Sequence, residues 1–519
     1  MQEQNKGINI DSNLLESFEG EIRSKVPHLE KPDGGKVVNA TPLIDITEDL
    51  KECARKEFNL NIADTDLRVF GKFDSNLLAG SIKVRPAVNI IHDAITSGKL
   101  KRGQTIFEAT SGNFGIALGH LGKIGLDVVT LVSRKLQEGV FEELRNEKTR
   151  ILNLDMDICP APGMKDSPNL LLAKATASNI RSQLSDLGFD PVVFDKSRSE
   201  AEAILAKQDI INLAKLLAKI YDGFCPEQYD NELNIEVHRT VTGAEIDQQL
   251  HEQGHSLSDF RIVCTFGTGG TSGGLSRYMM EKFGKKSLHV VFSLGNQDVA
   301  GIRTKEKALG LKFYEPERYG GQHEVDFVQA KRLLKFFVDK GHDMGESSAL
   351  ALYSVMQMAN FGNGGKFVVI IADGIQKYKK NLETGKKEAS LEVNLKEALS
   401  DIGSYNRVLW IHTTYTPQEK GIELIASSLG VDQSKIFVPK AREVERLLMT
   451  QEVPKEIDTA LGGADGKTLL VCMMGNTSLM AAHVFAKKGI VAQSLTGGIS
   501  ALSQEKGKPI SELVRMATE

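Results

Sequence analysis

The sequence has little of what marks a secreted, membrane or nucleic-acid-binding protein. Its five cysteines, Cys53, Cys159, Cys225, Cys264 and Cys472, are odd in number, scattered and without CxxC spacing. That excludes a disulfide framework and a cysteine zinc site, and leaves single-thiol chemistry. Neither sign of charge dominates: the formal net charge is −4, which provides no basic field for nucleic acid. The longest apolar runs, such as residues 367–372, fall far short of the ~18 residues of a membrane span, and the polar residues 1–6 lack a signal-peptide core. These absences predict a cytoplasmic protein with no nucleic-acid or membrane partner. His238, His412 and His483 stand without a carboxylate or nucleophile at useful spacing, so the pattern does not support a catalytic triad.

What is present is length and alternation. At ~150 residues per domain, 519 residues predict two to four units, and 41% hydrophobic with 25% charged residues is ordinary for a globular chain. Residues 1–36 read as a polar N-terminal extension, 37–380 as the main body, 381–395 as a linker and 396–519 as a smaller α/β unit. In the main body, apolar segments at 65–73, 104–109, 127–133, 151–157, 191–194, 261–266, 289–293 and 367–372 read as strands. Helical spacing alternates with them, so the sheets are predicted to be parallel. Residues 228–243 read as a loop entering a helix at Ala244. The lysine-rich stretch 377–389 reads as surface.

Two stretches point to chemistry. The strand 261–266 ends in Gly267-Thr268-Gly269-Gly270-Thr271, where glycines let the backbone approach an anion and a following helix directs free N–H groups at it. The rival reading is a tight turn that packs helix on strand. It is not a Walker loop, because no Lys-Ser/Thr follows. A dinucleotide site is disfavoured, because the strands after Gly112-Asn113-Phe114-Gly115 and after the second glycine loop end in Ser133-Arg134-Lys135 and Ser293-Leu294-Gly295-Asn296, without the ribose-binding acid. The second stretch is Gly80-Ser81-Ile82-Lys83, a lysine just past a small-residue turn. A lone lysine is normally a solvated charge. Beside a phosphate cup, a Thr110-Ser111-Gly112-Asn113 loop and a Gly345-Glu346-Ser347 loop, it completes the set of parts for pyridoxal 5'-phosphate held by a Schiff-base lysine.

The segments from Gly71-Lys72 to Arg85, Glu108 to Asn113, Gln228 with His238 and Thr242 to Ile246, and Gly267 to Thr271 resemble the cysteine synthase and cystathionine β-synthase family of fold-type II enzymes, in order from about residue 39 to 378. The resemblance implies two parallel-sheet α/β subdomains and a homodimer. It also implies that Lys83 forms the Schiff base and later moves the Cα proton, and that Asn113 bonds the cofactor's phenolic oxygen. Thr110, Ser111, Gly112 and Gln228 would hold the substrate carboxylate, Gly267, Thr268, Gly269, Gly270 and Thr271 the cofactor phosphate, and Ser347 would face the pyridine nitrogen. The chain departs from the family pattern at Asn76-Leu77-Leu78, where Asn-Pro is usual, at Phe114 in place of threonine, at Ala349 in place of glycine, and in a longer segment over 165–225.

In the smaller unit, the apolar strand 468–472 ends in Cys472, followed by Met473-Met474-Gly475-Asn476-Thr477-Ser478 and a helix. Loop N–H groups and a helix dipole there would stabilise a thiolate or persulfide; the rival reading is a buried cysteine closing a strand. Residues 468–502 resemble the C-terminal half of a rhodanese domain, although Thr477 replaces the usual arginine and 396–460 lack the Asp-x-Arg motif.

The expected function is β-replacement on an O-activated serine to give cysteine or a relative, from an amino-acid substrate and a sulfur donor, with Cys472 a candidate sulfur carrier. The alternatives are β-elimination as in a cysteine desulfhydrase, cystathionine β-synthase-like condensation, and a non-catalytic amino-acid-sensing scaffold.

Overall fold

A computed structural model describes residues 10–31, 34–62, 66–132, 137–154, 176–207, 209–294, 299–362, 364–379, 382, 391–412, 415–450, 452–461, 466–472, 476–509 and 512–516. The chain divides into two compact units between residues 383 and 384.

In the first unit the strands are β1 (His28–Lys31), β2 (Gly34–Val38), β3 (Leu43–Asp45), β4 (Asp66–Phe73), β5 (Thr105–Thr110), β6 (Asp127–Val132), β7 (Arg150–Asn153), β8 (Arg261–Thr265), β9 (Leu288–Ser293), β10 (Gly321–Val325) and β11 (Gly364–Ile371). Six of them form one sheet in the order β10-β9-β8-β11-β4-β3, parallel except for the antiparallel edge strand β3. A second sheet, β5-β6-β7, is parallel throughout. Central β11 carries Phe367, Val368, Val369 and Ile371 at 0% exposure, as a strand covered on both faces by helices must. The βαβ reading therefore holds for both sheets.

The helix Ser12–Glu21 is part of the core. Leu14 and Phe18, on the helix Ser12–Glu21, are fully buried in one apolar cluster with Val84, Ile91, Phe114 and Leu118. Phe114 thus turns its ring into that core, which accounts for the missing family hydroxyl.

Three local readings are corrected. Residues 191–194, expected as a strand, open the helix Pro191–Asp195. The Asp190 side chain accepts a hydrogen bond from the Val192 N–H at 2.9 Å, and Pro191 sits where a helix needs no N–H, so the cap outweighs the β-branched valines. Residues 228–243 are not a loop throughout: the helix Leu233–Val237, a π-helical turn His238–Thr242 and the helix Gly243–Glu252 run on without a break. The lysine-rich 377–389 stretch does not begin at the surface, because Lys377 is 8% and Tyr378 3% exposed; most of its remainder lies outside the described residues.

The second unit contains β12 (Glu392–Val393), β13 (Tyr405–Trp410), β14 (Tyr415–Pro417), β15 (Ile436–Phe437), β16 (Lys467–Val471), β17 (Ala492–Leu495) and β18 (Val514–Met516). Five form a parallel sheet, β12-β17-β16-β13-β15, and β14 pairs antiparallel with β18. Trp410, at 0% exposure, lies in a cluster with Leu424, Leu469 and Ile499. Among the described residues, no helix of either unit is long and apolar enough to cross a membrane.

Candidate active site

Lys83 is delivered by a left-handed turn and a buried ion network. After β4, Ala79 and Gly80 adopt φ of +56° and +62°, a region that costs Ala79 energy and so requires support from its surroundings. Ser81 bridges to Asp373, and the Ile82 N–H donates to the Ala372 carbonyl at 2.7 Å, which ties the lysine segment to the carboxyl end of β11. Beyond Lys83 the helix Val84–Thr96 begins. Its Arg85 donates through Nε and Nη2 to Asp74 at 2.9 and 2.7 Å, and Nη1 contacts Glu245 Oε2 at 2.7 Å. Glu245 Oε1 also receives Lys72 Nζ at 2.6 Å. All four charged side chains are fully buried. Burial, and then the Arg303 guanidinium, lower the Lys83 amine to about 8 against the opposing pull of Asp373. An amine so tuned is a competent nucleophile near neutral pH.

The glycine loop lies beside it. The helix after β8 starts at Gly270, so the stretch Gly267 to Thr271 is a short turn of Gly267, Thr268 and Gly269 followed by a helix N-terminus. A Cβ on Gly267 would stand 2.9 Å from the Gly301 carbonyl and 4.0 Å from Lys83 Nζ. On Gly270 it would stand 2.1 Å from Asn234 Oδ1, so no side chain fits. Thr268 Oγ1 accepts from Asn234 Nδ2 at 3.1 Å and from the Gly270 N–H at 3.3 Å, which holds the turn. Thr271 Oγ1 is 3.4 Å from His238 Nε2, and burial keeps that imidazole well below its usual range and neutral. The cradle suits a phosphate, with a partly positive helix end and close backbone approach. Because the aldehyde and the phosphate-bearing arm of pyridoxal phosphate are neighbouring ring substituents, a lysine amine beside this cradle fits that cofactor.

The remaining predicted residues converge on the same region. Gly112, at φ +125°, turns the chain from β5 into the helix Asn113–Leu121. Thr110 Oγ1 is buried inside this turn and accepts from the N–H groups of Gly112 and Gly115 at 3.1 and 3.2 Å. Ser111 Oγ is 3.4 Å from where a Cβ of Gly301 would lie, so Gly301 stands between the serine loop and Gly267. Gln228 is buried and donates to the Ala109 carbonyl at 2.9 Å. Beneath it, burial raises Glu108 to about 8, against hydrogen bonds from the backbone of Glu227 and Gln228. Ser347 is 7% exposed at the start of the helix Glu346–Gly362. Its neighbour Ser348 accepts from the Ala372 N–H at 3.2 Å, and burial raises Glu346 to about 7.

Several polar residues of the site carried no signal in the sequence. Asn234 links the Gln228 carbonyl, at 2.7 Å, to the glycine turn. Arg303 donates to Tyr229 at 2.9 Å and lies near enough to Lys83 to depress its amine. Asp373 accepts from Asn113 Nδ2 at 2.7 Å, and Lys377 donates to Asn113 Oδ1 at 2.6 Å.

In the second unit, Cys472 follows central strand β16 and is 2% exposed. Its sulfur accepts from Ser478 Oγ at 3.2 Å, and its carbonyl from the Ile499 N–H at 2.9 Å; residues 473–475 lie outside the described residues. Burial pushes Cys53 and Cys264 up to about 12 and Cys225 well above its ordinary value, so these three thiols stay protonated and structural. Cys159 lies outside the described residues.

Comparison with known proteins agrees with this geometry. Residues 56–374 match the family described as pyridoxal-phosphate dependent enzyme. A cysteine synthase of Staphylococcus aureus is 24% identical over 354 residues, covering 65% of this chain and 91% of that protein. Cysteine synthase B of Pseudomonas aeruginosa is 24% identical over 317 residues, covering 61% and 89%. Among solved structures, O-ureido-L-serine synthase is similar at 20% identity and a TM-score of 0.48, covering 67% of this chain and 94% of that one. With the family match spanning more than half of the 519 residues, the chain belongs to the pyridoxal-phosphate dependent enzyme family, as a cysteine synthase-like enzyme of fold type II.

Proposed function

We propose that the first unit catalyses β-replacement on an O-activated serine, with cysteine or a related amino acid as product. The observation that supports this most is the convergence of three loops: Gly301 lies against both Gly267 and Ser111, and Lys83 Nζ stands 4.0 Å from the Gly267 Cβ position. When bound, the cofactor supplies an electron-withdrawing ring that acidifies the substrate Cα–H. Lys83 would hold the cofactor at its aldehyde carbon and would take the proton from the substrate Cα. Ser111 and Gln228 hold the substrate carboxylate, while Thr110 and Gly112 shape the turn that presents them. Gly267 to Thr271 hold the phosphate, and Asn113 bonds the phenolic oxygen. Ser347 would face the pyridine nitrogen with a hydroxyl, which, unlike a carboxylate, would not keep it protonated; that would favour loss of a β-substituent over transamination.

The test is to supply purified enzyme with O-acetylserine, O-phosphoserine or cysteine, with and without sulfide, and to identify products by mass spectrometry. Formation of cysteine from an O-activated serine, abolished in Lys83→Ala, is the expected result. Turnover of cysteine to sulfide and pyruvate alone would replace this reading with β-elimination, and no turnover of any of the three would leave the scaffold reading.

The second unit is proposed to be rhodanese-like and to carry sulfur on Cys472. Its placement at the carboxyl end of the central strand of a parallel sheet, where connections leave in opposite directions, supports this. The Cys472 thiolate takes the outer sulfur of thiosulfate, releasing sulfite. Two equivalents of an external thiol then reduce the persulfide, releasing sulfide and a disulfide and restoring the cysteine. Cys472→Ser is expected to abolish thiosulfate-driven synthesis and to retain sulfide-driven synthesis. Equal activity of the variant with both donors would refute the carrier role.

A further inference from the structure

Lys377 belongs by composition to a solvated lysine-rich stretch, yet it is 8% exposed and points inward. Its Nζ donates to Asn113 Oδ1 at 2.6 Å and lies 3.4 Å from Asp373 Oδ2. Asp373 Oδ2 in turn accepts from Asn113 Nδ2 at 2.7 Å and from the Tyr378 hydroxyl at 2.6 Å. Asp373 is 2% exposed, its backbone bridges Ser81, and its carbonyl accepts from the Gly345 N–H at 2.7 Å. The cluster therefore ties together the segment before Lys83, the loop before Ser347 and the helix that begins at Asn113. Space is tight as well, since a Cβ on Gly345 would stand 2.1 Å from Asp373 Oδ1.

A carboxamide has two nearly isosteric orientations, and only its neighbours decide between them. An ammonium can only donate and a carboxylate can only accept, so an amide between the two has one stable orientation, with oxygen toward Lys377 and nitrogen toward Asp373. The nitrogen carries two hydrogens, of which Asp373 takes one, and the Tyr378 hydroxyl also lies within reach of the amide. We propose that Lys377 is a positioning residue: with Asp373 it locks the Asn113 amide so that the second N–H of Nδ2 is presented to the phenolic oxygen of pyridoxal phosphate. Without the ammonium, the Asn113 oxygen loses its donor and only the Asp373 carboxylate still orients the amide, so the second N–H is held less firmly toward that phenolate. The inference rests on the proposed role of Asn113 as the partner of the phenolic oxygen.

The experiment reads the visible absorption band of bound pyridoxal phosphate and its dissociation constant in four holoenzymes: wild type, Asn113→Ala, Lys377→Met and the double variant. Asn113→Ala and Lys377→Met are expected to shift the band in the same direction and to weaken cofactor binding by about tenfold each, the worth of one hydrogen bond to a charged acceptor. The double variant is expected to lie within about twofold of either single, because both changes remove one interaction. Lys377→Arg, which keeps the donor, is expected to restore the wild-type band. If Asn113→Ala leaves the spectrum unchanged, the reading of Asn113 fails. If Asn113→Ala shifts it and Lys377→Met does not, or if the two losses multiply in the double variant, the role of Lys377 is overturned. Should Lys377→Met not fold, Lys377→Leu, which also lacks a donor, is read by the same criteria, with far-UV circular dichroism to check the fold.

Discussion

The buried network behind Lys83 makes a sharp prediction for Glu245→Gln. Glu245 faces two cations, Lys72 at 2.6 Å and Arg85 at 2.7 Å, and Asp74 supplies the second negative charge, so the four buried groups sum to zero. Glutamine keeps the volume and an acceptor for the Thr41 N–H, now 2.7 Å from Glu245 Oε1, so no cavity and no orphaned Thr41 N–H enter the balance, while its NH2 takes the place of Oε2 against Arg85 Nη1 and adds to the cost. What changes is one buried negative charge, leaving two cations against Asp74 alone. Removing one partner of a buried pair costs roughly 3–5 kcal/mol, a large part of the ~5–15 kcal/mol that holds a typical domain. The melting temperature of the first unit is expected to fall by about 5–10 °C. Because the two units need not unfold together, the melt is followed by the cofactor's visible band as well as by far-UV circular dichroism. Glu245→Gln/Lys72→Met removes one charge of each sign and is expected to recover at least half of the loss. A single variant that loses less than about 1 kcal/mol, or a double variant worse than the single, would show that charge balance is not what holds the Lys83 segment.

Two pH experiments follow. With the Lys83 amine lowered to about 8 by burial and the Arg303 cation, stopped-flow capture of added pyridoxal phosphate is expected to accelerate about tenfold per pH unit up to pH 8 and then level off. Arg303→Gln is expected to move the midpoint upward, and a wild-type midpoint near the ordinary 10.5 would refute the assignment. Glu108, raised by burial from 4.5 to about 8, keeps in the folded state a proton that the unfolded chain releases. Stability is therefore expected to fall as pH rises from about 4.5 to 8, by roughly a few kcal/mol at most, and to flatten above; Glu108→Gln is expected to abolish that decline in urea titrations.

The sequence by itself determined the elements whose chemistry is local. Lys83, the turn before it, the glycine cradle and the alternation of parallel strands with helices were legible because each depends on a few adjacent residues: glycines where no Cβ fits, apolar runs where both faces are covered, a helix start directly after a strand. Cys472 was legible as a strand-ending cysteine for the same reason. Where a local contest was close the reading failed, as at Pro191, where an aspartate cap and a proline at the first helical position outweigh two valines. Only the tertiary structure decided which polar groups surround the lysine. Asn113 meets Asp373 from 260 residues away and Lys377 from 264, and Lys72 meets Glu245 across 173. No local pattern predicts such partners, because buried charges are stabilised only by counter-charges that the sheets bring to the same end of the fold. In sequence Lys377 looks like any solvated lysine; its burial beside Asp373 makes it part of the site.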